Sequence, residues 1–124
     1  MLGTSAGALP YLGEDARGIA VTQVAPYPWR HTNPTAREYA KDTARAKQTI
    51  GYAHYAAYLM FTMLAEGIRL TGRNLTPQTL TRTFNNMKLP NVDGGPDVRF
   101  TPNNHHPVRF VEITVVGPRG TFIR

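Results

Sequence analysis

Tyr52, Tyr55 and Tyr58 fall three residues apart within the most strongly helical stretch of the sequence. A phenol offers both a ring face and a hydroxyl, so a tyrosine near the mouth of a helix can line a ligand cleft. The same spacing suits plain helix packing, and the residues alone leave both readings open. Other chemistry-bearing types are dispersed. His31, His54, His105 and His106 form no His-x-x-x-His pair and bracket no glutamate, so no metal site is expected. The absence of cysteine excludes thiol catalysis, disulfides and a Cys-based zinc site. Gly3-Thr4-Ser5-Ala6-Gly7 has the Gly-x-Ser-x-Gly spacing of a nucleophile elbow. No strand is expected before it, and the elbow needs a strand-to-helix turn to expose its serine. The acidic residues read as scattered, without an evident carboxylate pair, and neither standard glycine-rich phosphate loop occurs. No enzymatic activity and no cofactor are expected.

The elements that must position these residues are easier to read. Residues 18–24 are β-branched with a period of two, which predicts a strand after a polar approach loop at 14–17. Pro26 and Pro28 then hold their predecessors extended, making 25–31 a crossing segment that carries Tyr27 and Trp29. Asn33-Pro34 opens a helix to about Ala46, with Ala36, Tyr39, Ala40, Thr43 and Ala44 as a small-residue stripe. The next helix runs from Tyr52 to about Thr71, with Tyr55, Ala56, Leu59, Met60, Met63, Leu64 and Ile68 at helical spacing and Gly72 as its stop. Tyr58, Phe61 and Ala65 extend the apolar girth, so this helix is expected to be covered on two sides. Leu75-Thr76-Pro77, with Leu80 four residues past the cap, announces a capped third helix that Pro90 ends. Turn chemistry at 91–96 precedes a short strand at 97–100. A polar loop leads to an alternating strand at 108–116, with Val111, Ile113 and Val115 on one face, and to a last strand at 121–123. The expected order is β-α-α-α-β-β-β.

At 124 residues and 41% apolar, the chain suits one ordered domain, taken as the single unit 1–124. Its first ten residues have no basic n-region or long apolar h-region, and the run 56–61 is too short to span a bilayer. As written, the sequence reads as lacking an export signal, hence as cytoplasmic. A net charge of +6 raises nucleic acid as a partner, but the basic residues are spread evenly and form no stripe, so none is expected.

Several segments, in order, resemble type 1 periplasmic solute-binding proteins, the Leu/Ile/Val-binding receptors of ABC importers. Residues 12–24 followed by Pro26-Tyr27-Pro28 look like the family's strand and crossing segment. Tyr58, Leu64, Glu66, Ile68 and Gly72 match its long helix, and Leu75-Thr76-Pro77 with Leu80 and Phe84 to Met87 is similar to the next one. Residues 94–105 resemble its Gly-x-Pro-Val-Arg-Phe-Ser-Pro-Asn-Asp-His loop, and 109–116 its closing hairpin.

The resemblance covers nearly the whole chain, yet the family's receptors are more than twice as long. It implies a partial α/β periplasmic-binding-protein-like type I fold, the C-terminal section of a two-lobed receptor whose lobes close on a small-molecule ligand. An ABC permease is the implied partner and the periplasm the implied site of action. Two ligand-facing positions carry over: Tyr58, matched to the tyrosine that opens the long helix, and Ser5, where branched-chain receptors carry an acid for the ligand ammonium. With half of the cleft wall absent, this segment alone is expected to hold no small ligand tightly. An alternative is a stand-alone oligomerising module, because the strand near Ile19 to Val24 lacks its family neighbours and leaves an edge to pair with another copy. A small basic nucleic-acid-binding protein is the remaining alternative.

Overall fold

The computed structural model describes residues 12–29, 34–89, 97–106, 111–118 and 122–123. A 3-10 turn (Gly13–Ala16) leads into strand β1 (Ala20–Gln23), followed by helices α1 (Pro34–Arg45), α2 (Tyr52–Thr71) and α3 (Pro77–Asn86). Four strands follow: β2 (Lys88–Leu89), β3 (Val98–Arg99), β4 (Glu112–Val116) and β5 (Phe122–Ile123). The expected order is present with two additions. The approach loop winds into the 3-10 turn, which buries Ala16 against Val21 and Val116. Strand β2 follows α3 directly and pairs antiparallel with β3, Leu89 opposite Val98. Two residues carry no periodicity, so such a strand has no sequence signature.

The larger sheet has the order β1-β4-β5, with both pairings antiparallel and β1 at an edge. Its buried face carries Val21 and Val116, but also Gln23, Glu112 and Thr114. The Gln23 amide donates to the Thr114 hydroxyl at 3.2 Å. The alternation expected in β4 is present, yet its apolar row faces outward: Val111 is exposed and Ile113 is 66% exposed. Alternation fixes which residues share a face, whereas packing decides which face is inside.

Helix α1 buries Ala36, Tyr39 and Thr43. Past its end, the Gln48 N–H reaches the Thr43 carbonyl and the Lys47 N–H the Ala44 carbonyl, closing a Schellman motif. Lys47 holds the left-handed position there, at φ +53°, where glycine is the usual occupant. Helix α2 ends at Gly72, whose φ of +73° no β-carbon obstructs. Its buried side is Tyr55, Leu59 and Gly67. The second side expected to be covered is largely open, with Phe61 70% exposed and Ala65 exposed, and so is part of the first stripe, with Met60 64% exposed and Leu64 and Ile68 also exposed. Helix α3 starts with a reciprocal cap: the Thr79 N–H donates to the Thr76 hydroxyl, and the Thr76 N–H to the Thr79 hydroxyl. Phe84 packs with Met63, Met87, Leu89, Val98 and Phe100 in a core joining α2, α3 and the β2–β3 pair. Among the described residues no helix is long and apolar enough to cross a membrane.

Candidate functional site

The three tyrosines of α2 take three different roles where α1 meets the start of that helix. Tyr52 reaches back to the segment after β1, its hydroxyl accepting the Ala25 N–H at 2.9 Å. Tyr55 is fully buried and stacks obliquely on Tyr39, ring centroids 4.9 Å apart. Tyr58, nearly two turns into α2, is half-buried, and its ring lies 5.2 Å from that of Tyr39 at 57°. The Tyr39 hydroxyl closes the junction by donating to the Gly51 carbonyl and accepting the Gly51 N–H, both at 3.2 Å. Since Gly51 is the N-cap of α2, this phenol fixes where α2 begins relative to α1.

A cavity of about 380 Å³ opens beside this junction. The rings of Tyr39 and Tyr58 form one corner, and Asp42 with Thr43 continues along α1. Gln48, held by the Schellman turn, lines it together with Ala46, Thr49 and His54. The Tyr58 hydroxyl donates to Asp42 Oδ2 at 3.1 Å, and Arg45 Nη1 approaches the other carboxylate oxygen at 3.4 Å from the exposed side.

Burial pushes the Tyr58 phenol above its ordinary range, and three contributions reinforce it: its hydrogen bond to Asp42 and the negative charges of Asp42 and Glu38. A folded-state pKa raised above the unfolded one means that the folded chain holds the proton more tightly. That contribution to stability is full below the unfolded phenol pKa of about 10 and is lost as pH rises through the folded value. Tyr58 is therefore expected to ionise late in an alkaline titration followed at 295 nm. Tyr58→Phe should remove a late-titrating phenol; loss of an early one instead would show that Asp42 does not hold it.

Of the sequence-derived site residues, Tyr58 stands in the cavity wall, and Ser5 lies outside the described residues, as do the rest of the Gly3–Gly7 segment and His31. His105 and His106 are exposed. Among the described residues no group of three His, Cys, Asp or Glu side chains is placed to hold a metal. Sequence reasoning missed Asp42. Glu38 and Asp42 are in fact a pair four residues apart on α1, and both act on Tyr58. That spacing was the available signal.

A family model described as Periplasmic binding protein matches residues 1–121. The solved structure of a substrate-binding periplasmic protein from Ralstonia solanacearum matches with a TM-score of 0.74 at 26% identity, covering 89% of this chain and 32% of that one. This chain thus spans about a third of that protein's length. Comparison with curated proteins gives no match. The family match runs almost from end to end of the chain. With this α/β architecture, the chain belongs to the periplasmic binding protein family.

Proposed function

We propose that the chain acts in solute capture, as the C-terminal segment of a periplasmic receptor of the branched-chain amino-acid importer type, delivering to an ABC permease. The observation that carries this is the position of Tyr58, the family-matched tyrosine, in the wall of an open cavity rather than in the core. Ser5 is the second ligand-facing position of the same proposal. In the intact receptor the solute is held between two lobes and released by hinge opening, with no covalent step. This chain supplies one part of the wall, so by itself it holds solute weakly. Calorimetry of the chain with leucine, isoleucine, valine and aromatic amino acids is expected to show no micromolar binding. Micromolar affinity for any of them would overturn the division of the wall between this segment and the rest of a receptor.

A second reading, a self-associating module, is favoured by the β1 edge, by the exposed Ile113 and Ile123 of the same sheet and by the exposed Val24 just past β1. Light scattering separates the two, because a monodisperse monomer at high concentration excludes obligate assembly.

A further inference from the structure

The cavity at the α1–α2 junction differs in charge from the molecule around it. The chain carries a net charge of +6, yet among the described residues the wall holds the Asp42 carboxylate, with His54 as its one imidazole and no lysine or arginine. Both phenols in the wall have their polar ends engaged, Tyr39 on Gly51 and Tyr58 on Asp42, so neither offers a free hydroxyl proton to the space; the half-buried Tyr58 leaves more ring surface accessible than the buried Tyr39. The Thr43 hydroxyl spends its proton on the Tyr39 carbonyl at 2.7 Å, leaving oxygen lone pairs. Electron-rich ring faces and one carboxylate are the two things that attract an organic cation. An anion here would meet the Asp42 charge at close range.

We propose that this cavity selects small organic cations, with Asp42 as the counter-charge and the Tyr39 and Tyr58 rings as the wall that holds the alkyl body. The proposal rests on the reading of Tyr58 as ligand-facing. The raised phenol pKa of Tyr58 comes first from burial and then from its hydrogen bond to Asp42, and the smaller contributions of the Asp42 and Glu38 charges are the part that fits a cation site. Arg45 is the cation already beside Asp42, but its side chain is 82% exposed and the contact is long. A solvated pair of that kind is weak, and a desolvated ligand ammonium competes with it. The cation meets an open half-site, so binding is expected in the millimolar range, in line with the expectation of no micromolar affinity.

The test is an NMR titration of the full chain with isobutylamine, choline, isobutyrate and leucine, read on the Tyr39 and Tyr58 ring resonances. Isobutylamine and choline are expected to shift both rings and to bind at least about tenfold more tightly than isobutyrate or leucine. Asp42→Asn should weaken the amines by about tenfold, and Arg45→Ala should strengthen them by about two- to threefold by removing the competing cation. Tighter binding of isobutyrate or leucine at the same rings would overturn the cation preference while leaving Tyr58 ligand-facing. No shift of the Tyr58 ring with any probe up to about 50 mM, far above the expected range, would overturn both. Equal amine affinity in Asp42→Asn and wild type would overturn the role of the carboxylate.

Discussion

Tyr55→Ala is expected to lower the unfolding free energy by about 3–5 kcal/mol, the range for truncating a buried aromatic. Tyr55 has no exposed surface and sits in a core with Ala25, Ala36, Tyr39 and Leu59. That core draws on the segment after β1, on α1 and on α2, so the void would open where the three meet. Collapse around it is limited because the Tyr39 ring, 4.9 Å away, is itself anchored through its hydroxyl to Gly51. A domain of this size has roughly 5–15 kcal/mol to lose, so the variant should be partly unfolded at 37 °C. Phe61→Ala on the same helix is the control. Its side chain is 70% exposed, and the change should stay within about 0.5 kcal/mol. Urea denaturation followed by circular dichroism reads both. A cost for Tyr55→Ala below about 1 kcal/mol would mean that the aromatic junction does not hold α1 against α2.

The contrast between Tyr55 and Phe61 also marks where sequence stops predicting structure. Helical spacing placed Tyr55, Leu59 and Met63 on one side of α2, and they do face the cores. The same pattern admitted Met60, Leu64 and Ile68, which are exposed, because periodicity names residues that share a stripe and cannot supply a layer to cover it. Strand β4 repeats the lesson, its apolar row lying outside while Gln23 and Thr114 bond to each other on the buried face. Local signals fared better. Thr76 and Pro77 open α3 and Gly72 closes α2, because caps and positive-φ stops are written within a few residues of where they act. The candidate site was half legible. Tyr58 came from a family resemblance, whereas its partner Asp42 depends on how α1 crosses α2, a relation between residues sixteen apart. The spacing of Tyr52, Tyr55 and Tyr58 could not say which would be core, tie or cavity wall. Each outcome depends on what lies opposite that turn of the helix.

Gly67→Ala should destabilise the chain, against the ordinary expectation for a helical glycine. In an open helix the change gains up to about 1 kcal/mol from backbone propensity. Here a β-carbon would stand 2.6 Å from Phe84 Cζ and 2.7 Å from Cε2, well inside van der Waals contact. The Phe84 ring has little room to retreat, because it meets Phe100 edge-on at 5.3 Å within the core that joins α3 to the β2–β3 pair. Either the ring leaves that core or α3 shifts from α2, where Thr71 and Thr83 share a 2.9 Å hydrogen bond. Overpacking of this kind costs about 1–3 kcal/mol, so the clash outweighs the propensity gain by roughly 1 kcal/mol, and Gly67→Leu should lose more. Phe84→Leu removes the clashing ring atoms at a cost of its own. In the double variant, Gly67→Ala should then recover its propensity gain, giving a coupling of about 1 kcal/mol or more between the sites. Thermal and urea denaturation of the four proteins measure that cycle. Additive effects, or stabilisation by Gly67→Ala alone, would show that α2 and α3 do not seat against each other through this glycine.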